Sequence, residues 1–485
     1  MGFRNHASPY KNSRRALRFQ DDPPRSAARA APGIPVVLKP YSGMIWAVNS
    51  AIKAASCDQN QSDLDLPHMK RIVHLGLGNF HRAHQAWYTA KAGDWKITGV
   101  VMRNAALYES LTQHNNAYVL GTWSADGLQA EVLDVYDDVL LVAQDARAVT
   151  ARIADLQTHV VTLTITEKGY ALRDDGSGLN ADDPAIAQDL KSDTSHSAIG
   201  LLCDGLAARA AQNGPPLTVI SCDNLSDNGA KLQKIVTDYL TISAPQALPW
   251  LARNVTFPIT MVDRITPKLS AAATAEIQAK SGTSDLSIVG TEDFTEWVIT
   301  DTFAGPRPAW DTAGALFVDD VTPFEARKLR LLNASHSFLA YAGQLAGHTY
   351  VHEAIADPAL RRAVNTLWDE AASTIPAPAA ATLDSYRAAL LARFAVPDMR
   401  HALAQIAMDG SLKLRERLAP IITVRAAQGL DAPQTEAAIE SWIAYVTDCL
   451  RKGTPLQDPN ADTIAQILSS SESRANLRAL VGLKA

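Results

Sequence analysis

The stretch RIVHLGLGNFHRAHQ, residues 71–85, decides the fold of this chain. A short strand-like run, residues 72–75, leads into Gly76 and Gly78 and then into a helical segment. Two such glycines let a chain turn tightly beside a pyrophosphate, whose charge is stabilised by the N-terminus of the next helix. His81 occupies the place of the usual third glycine. The position of the turn between a strand and a helix nevertheless predicts a dinucleotide site, and an ordinary tight turn is the alternative.

Strands and helices alternate after this turn. A second strand, KITGVVM, follows about 20 residues on, and further strand-like runs include VVTLTITEKGY, PLTVISCDN and LSIVGTEDFTEWVI. From about residue 320 the segments are nearly all helical. The pattern predicts a Rossmann-type doubly wound α/β domain followed by a mostly α-helical C-terminal domain. We assign residues 69–310 to NAD(P) binding and residues 311–485 to the helical substrate and catalytic domain.

The first 68 residues differ in composition from the rest. Residues 1–30 carry seven Lys or Arg against Asp21 and Asp22, with Pro, Ser and Ala between them. This stretch lacks the apolar periodicity of a core-forming segment. We interpret residues 1–68 as a disordered or spurious leader, with Met69 as the true start. A targeting segment is the alternative.

The overall composition narrows the class of protein. Of 485 residues, 47% are hydrophobic and 20% are charged, and the net charge is −6. This balance indicates a globular protein and argues against nucleic acid or a membrane as a partner. The four cysteines lie far apart, without the spacing of a metal site. The sequence therefore predicts a cytoplasmic protein without a metal.

The end of the second strand bears on the choice between NAD and NADP. An acidic residue there would bind the ribose hydroxyls, whereas an arginine would suit a 2′-phosphate. Here the strand ends in Arg103 and Asn104, and the first acid is Glu109. NAD remains the first choice of cofactor, with NADP open.

The segment KLRLLNASH, residues 328–336, places three polar groups in an apolar helix. On an α-helix Lys328, Asn333 and His336 fall within an arc of about 140°. Glu325, one turn earlier, joins the same side. A dehydrogenase acting on an alcohol needs a base for the hydroxyl proton and donors for the reacting oxygen, and a buried lysine and an amide can supply them. An exposed lysine with a satisfied core histidine is the alternative.

Four motifs in this order resemble the mannitol dehydrogenase family of long-chain polyol and sugar-acid dehydrogenases: GLGNFHRAHQ, SCDNLSDNG, FPITMVDRITP and the Lys-x4-Asn-x2-His pattern. The resemblance runs from about Arg71 to the C-terminus. It implies NAD or NADP as cofactor, no metal, a small sugar acid or polyol as substrate, and a monomer or weak homo-oligomer.

The resemblance also implies roles for individual residues. Lys328 would be the general acid/base, Asn224 and Asn333 would polarise the reacting oxygen, and His336 would hold substrate hydroxyls. Asp263 would line the cleft, and Glu325 would be a proton gate beside Lys328. The expected cofactor-binding residues are Gly76, Gly78, Asn79, Phe80 and Arg103.

Two features resemble the sugar-acid branch, which includes fructuronate reductases that make mannonate. Lys168, in TEKGY, could supply a cation for a substrate carboxylate. Gln405 stands where the mannitol branch usually carries an arginine eight residues before Lys413. We therefore expect Lys168, Gln405 and Lys413 at the substrate. Mannitol 2-dehydrogenase or another polyol dehydrogenase is the second interpretation, and a catalytically inactive nucleotide-binding protein is the third.

Overall fold

A computed structural model describes residues 70–124, 126–173 and 175–484. The predicted leader, residues 1–68, and Met69 lie outside the described residues. The fold class is confirmed, because a parallel sheet flanked by helices precedes an array of helices. Within the described ranges, no helix is both long and apolar enough to cross a membrane.

Within the described residues, twelve strands form one large and two small sheets. They are β1 (Lys70–Leu75), β2 (Trp95–Val101), β3 (Tyr118–Ser124), β4 (Gly127–Leu133), β5 (Tyr136–Leu141), β6 (Thr158–Leu163), β7 (Leu217–Ser221), β8 (Val255–Thr256), β9 (Thr260–Asp263), β10 (Ser287–Glu292), β11 (Glu296–Thr300) and β12 (Leu316–Val318). The large sheet has the order β5-β2-β1-β6-β7-β8, and all its strands are parallel. The small sheets have the orders β10-β3-β4 and β12-β11-β9.

The strand order of the large sheet creates a crevice at its centre. From β1 the chain proceeds outward to β2 and β5 on one side, and then returns to β6, β7 and β8 on the other. In open α/β sheets, ligands bind beyond the carboxyl ends of the strands where the order reverses. The glycine turn directly follows β1 and therefore lies at this switch point.

In the part of the chain that the structure describes, nine α-helices accompany the sheets. They are α1 (Asn79–Ala83), α2 (Gln85–Ala92), α3 (Ala105–Thr112), α4 (Val142–Ala154), α5 (Pro184–Asp189), α6 (Ala198–Ala211), α7 (Asn228–Ser243), α8 (Leu248–Asn254) and α9 (Ala271–Ser281). Their ends follow local chemistry. Asp183 caps α5, whose first residue is Pro184, and Ser197 caps α6 by accepting from the amide of Gly200.

Helices dominate after β12. They are α10 (Thr322–Arg327), α11 (Ala334–Leu345), α12 (Val351–Ala356), α13 (Pro358–Ala372), α14 (Leu383–Phe394), α15 (Leu403–Ile406), α16 (Gly410–Arg417), α17 (Ala419–Ala427), α18 (Pro433–Lys452), α19 (Ala461–Leu468) and α20 (Ser473–Leu480). Helix α11 is buried along most of its length and packs with α13 and α18 in one apolar core. That core includes Trp368 and Trp442 and holds in place the segment that precedes α11.

Candidate active site

The glycine turn is built for a close backbone approach. Gly76 has φ = 96°, and a Cβ atom there would lie 2.1 Å from the carbonyl oxygen of Thr164, which follows β6. Only glycine fits this position. At Gly78 the nearest atom to an added Cβ would be 3.6 Å away, so its surroundings are open. The turn thus packs closely against the residue that follows β6, and open space remains beside Gly78.

A cavity of about 770 Å³ lies at this switch point. Its lining includes Gly76, Arg103, Asn104, Thr164 and Lys168. The size, the glycine turn and the position at the carboxyl edge of the sheet fit a dinucleotide. We refer to this space as the cofactor cavity.

The remaining expected cofactor residues lie around the turn. Gly78, Asn79 and Phe80 are not part of the cofactor-cavity lining. The Asn79 side chain accepts a hydrogen bond from Arg82 at 2.7 Å, and the Phe80 ring stacks on His84. Asn79 and Phe80 thus support the start of α1 and α2 in this structure.

His81, at the place of the third glycine, points into the protein core. Its ring stacks on that of His74, with centroids 3.3 Å apart. His74 in turn hydrogen-bonds Thr162 and Thr164. Burial lowers the pKa of His74 to about 3 and that of His81 well below its ordinary value. Both rings are therefore neutral, and the histidine fits because it packs inward, away from the crevice.

The segment that carries Lys328 and Asn333 is a π-helix, not an α-helix. It spans Lys328–Asn333 between α10 and α11. In a π-helix each turn contains more residues, so the α-helical arc predicted for this segment does not apply in detail. Side chains satisfy its loosened carbonyls: Trp368 Nε1 and Ser335 Oγ donate to Leu331, and Arg417 donates to Asn333. Single π turns of this kind are frequent at functional sites.

The Lys328 ammonium group is buried, with 8% of the residue exposed. Its Nζ donates to Asn224 Oδ1 and to the carbonyl oxygen of Val262, each at 2.5 Å. Burial lowers the pKa of Lys328 below its ordinary value, and the nearby Asp263 carboxylate partly opposes this shift. The same physical cause, burial, raises the pKa of Glu325, which lies on α10 beside Lys328. Because burial lowers its pKa, this lysine releases a proton more easily than a solvated one.

Lys328 faces a second cavity of about 270 Å³, which we call the substrate cavity. Asn224, Asp263, Glu325, Asn333, His336 and Lys413 all line it. The Asn224 amide oxygen is used by Lys328, so its NH2 group is left to donate. Among the described residues, the Asn333 side chain makes no hydrogen bond and the buried His336 Nε2 has no hydrogen-bond partner. These groups can bind the oxygens of a small polar molecule.

The two cavities adjoin at Asp223, directly before Asn224. Its carboxylate lines the substrate cavity and accepts from the amides of Ile165 and Thr166, which line the cofactor cavity. A dinucleotide in one cavity and a small substrate in the other would therefore meet near the end of β7.

A buried ion cluster supports the substrate cavity from the helical side. Arg393, on α14, donates two bonds of 2.9 Å to Asp263 and two of 2.6 Å to Glu292. Burial alone would raise the pKa of Asp263, but Arg393 lowers it below its usual range. Burial raises the pKa of Glu292 to about 7. The cluster ties α14 to β9 and β10 and keeps Asp263 ionised close to Lys328.

Comparison with known protein families agrees with this architecture. The mannitol dehydrogenase Rossmann domain matches residues 70–312, and the mannitol dehydrogenase C-terminal domain matches residues 320–485. The chain belongs to the mannitol dehydrogenase family. It is thus an oxidoreductase acting on CH–OH groups, as the resemblance predicted.

Relatives within the mannitol dehydrogenase family carry different names. D-mannonate oxidoreductase of Escherichia coli K12 is 35% identical over 91% of this chain and 92% of that protein. Mannitol 2-dehydrogenase of Phaeosphaeria nodorum is 34% identical over 85% of this chain and 75% of that protein. The solved Pseudomonas fluorescens mannitol 2-dehydrogenase, in a ternary complex with NAD and D-mannitol, is 31% identical with a TM-score of 0.72, covering 85% of this chain and 89% of that one.

Two residues that we expected at the substrate lie elsewhere in this member of the mannitol dehydrogenase family. Lys168 is exposed and lines the cofactor cavity, whereas Tyr170 is buried and hydrogen-bonds Ser221 and Asp223. Gln405 is exposed on α15, whose buried side carries Leu403 and Ile406, and it does not line the substrate cavity.

The prediction also missed two arginines of the substrate cavity, Arg393 and Arg417. Each lies in a helix that contains other charged residues, and no local motif distinguishes it. In the described part of the chain, no three His, Cys, Asp or Glu side chains are grouped as metal ligands.

Proposed function

We propose that this enzyme reduces a sugar-acid ketose with a nicotinamide dinucleotide, and that D-fructuronate, converted to D-mannonate, is the substrate. The observation that carries the proposal is the buried Lys328, which among the described residues hydrogen-bonds the neutral oxygens of Asn224 and Val262 and faces a cavity whose lining includes Asn333 and His336. A protein that only binds nucleotides has no use for such a base.

Each residue contributes one step of the proposed reduction. The amides of Asn224 and Asn333 donate to the substrate carbonyl oxygen and stabilise the negative charge that develops there. The Lys328 ammonium gives its proton to that oxygen. His336 binds a neighbouring hydroxyl, and Glu325 returns a proton to Lys328. In the oxidation of the alcohol the same groups act in reverse.

The cofactor would lie in the cofactor cavity. Gly76 and Gly78 would admit the pyrophosphate, and Arg103 would lie near the adenosine ribose. The bound nicotinamide supplies the hydride in reduction and accepts it in oxidation. We propose NAD(H), which is present in the solved Pseudomonas fluorescens relative, and NADP remains open because Arg103 is the only charged residue of the strand end that lines the cavity.

The choice of a sugar acid no longer rests on Lys168 and Gln405. It is supported by the similarity to D-mannonate oxidoreductase and by the cations that line the substrate cavity, including Lys413 and Arg417. The similarity to mannitol 2-dehydrogenases keeps the conversion of mannitol to fructose as the second candidate.

Initial rates with fructuronate, tagaturonate, fructose and mannitol, each with both cofactors, test the proposal. We expect the largest kcat/KM with fructuronate and NADH. Higher values for fructose and mannitol would replace the sugar-acid assignment with the polyol one. No turnover with any of the four would contradict both substrate assignments.

The lowered pKa of Lys328 predicts opposite pH dependences for the two directions. Oxidation needs the neutral amine, so its kcat/KM should rise as the pH increases through the pKa of Lys328. Reduction needs the ammonium and should fall over the same interval. Because burial is the main cause of the shift, the midpoint should lie below the ordinary lysine value of 10.5. The pH profile of kcat/KM should be measured in both directions. The role of Lys328 is contradicted if neither profile shows this change, or if its midpoint lies above 10.5.

A further inference from the structure

The substrate cavity contains several cations, and nearly all of them are already used. Arg393 binds two carboxylates, and Arg264 donates to the backbone oxygens of Ala83 and Glu292. Lys413 lies 3.8 Å from the carboxylate of Asp409. Arg393 and Arg264 therefore bind other parts of the protein, and the charge of Lys413 is partly neutralised by Asp409.

Arg417 differs from them. Its guanidinium donates through Nη1 to the carbonyl oxygen of Asn333 and to Ser337 Oγ, and it forms no ion pair with any described carboxylate. Its Nε and Nη2 make no hydrogen bond with the described residues. Charged groups in partly buried positions are normally paired, because desolvation without a partner is costly. A carboxylate of the substrate can therefore serve as the ion-pair partner of Arg417.

The position of Arg417 suits a group remote from the reacting carbon. Arg417 lies four residues after Lys413 on α16, so the two side chains are neighbours on one helix face. Its bond to Asn333 places the guanidinium beside a residue whose side chain lines the same cavity as Lys328. The carboxylates of Glu325 and Glu416 also line the cavity, and Lys413 and Arg417 are the cations of α16 that line it.

We infer that Arg417 is the residue that selects a carboxylated substrate, by binding the carboxylate through Nε and Nη2 while Lys328 faces the ketone. An arginine presents two parallel donors that match a carboxylate, which a hydroxyl cannot use equally. The inference rests on the proposed function and specifies which group of the protein recognises the sugar acid.

The test compares fructuronate and fructose as substrates of the full chain with NADH. In Arg417→Gln, kcat/KM for fructuronate should fall about 10- to 100-fold, the usual contribution of hydrogen bonds to a charged group. The ratio of kcat/KM for fructuronate to kcat/KM for fructose should fall by a similar factor, because loss of the Asn333 contact affects both substrates and loss of the carboxylate contact affects only fructuronate. Arg417→Lys should lie between the two. Arg415→Gln is the matched control, because Arg415 lies on the same helix but is exposed and donates to the carbonyl oxygen of Leu480.

The outcomes separate this inference from the proposed function. An equal loss with both substrates, or no loss with either, would overturn the role of Arg417 while fructuronate remains the substrate of the unmutated enzyme. If the unmutated enzyme does not reduce fructuronate, the proposed function fails as well. If the melting curve shows that Arg417→Gln is unfolded, Arg417→Lys tests the inference instead. The measured quantity is then the ratio of kcat/KM for fructuronate to kcat/KM for fructose, which should fall below that of the unmutated enzyme.

Discussion

Replacement of Lys328 by alanine should lower kcat by about 10²–10⁴-fold in both directions, the usual contribution of a positioned acid or base. The substitution removes the proton donor and also the positive charge next to the reacting oxygen, so the loss should lie toward the upper end. The dissociation constant of NADH should be nearly unchanged, because Lys328 lines the substrate cavity and not the cofactor cavity. Near-native turnover in the variant would refute the assignment of the site.

Chemical rescue distinguishes a lost proton donor from a collapsed site. Truncation of Lys328 leaves space in a cavity of about 270 Å³, where Asn224 Oδ1 and the Val262 carbonyl remain as acceptors for an ammonium ion. Small primary amines should therefore restore part of the activity, and the rate should vary with the pKa of the amine. A purely structural role for Lys328 predicts no such dependence.

The parts of the site that were predictable from the sequence have local causes. The turn after β1 needs glycine because of its positive φ and its contact with Thr164, and a strand on one side and a helix on the other make it recognisable. Lys328, Asn333 and His336 lie within nine consecutive residues, so a helical conformation of this segment is enough to bring their side chains close together. The alternation of strands and helices likewise follows from patterns within short windows.

The parts that were not predictable depend on contacts between distant segments. Arg387 and Arg393 lie six residues apart on α14 and look alike in the sequence. In the structure Arg387 pairs with the exposed Asp369, whereas Arg393 binds two buried carboxylates more than 100 residues away. The π-helix has a similar origin, because its carbonyls are satisfied by Trp368 and Arg417, which arrive from other helices.

Removal of the Arg393 guanidinium should cause the largest loss of stability. Arg393→Met would leave Asp263 and Glu292 buried without their cation, and breaking such a pair by deleting one partner costs about 3–5 kcal/mol. Urea denaturation of the two proteins measures the difference. Arg474→Met is the control, since Arg474 is 70% exposed and its pair with Glu440 contributes about 0–1 kcal/mol. Equal stability of the two variants would show that the buried cluster is not a structural clamp.

The dependence of this loss on pH tests its electrostatic cause. With Arg393 present, the lowered pKa of Asp263 stabilises the folded protein above the unfolded pKa of an aspartate, and that stabilisation disappears as the pH falls through the folded value. Without Arg393, both buried carboxylates should have raised pKa values, so folding is penalised more as the pH rises. Both effects have the same sign, and the difference in unfolding free energy should shrink on acidification. Glu292→Gln in the Arg393→Met background should recover part of the loss, and more of it as the pH rises, because Glu292, with a pKa of about 7 even beside Arg393, becomes an unpaired buried charge only at higher pH. A loss that is independent of pH and of Glu292 would instead point to the packing of the Arg393 side chain.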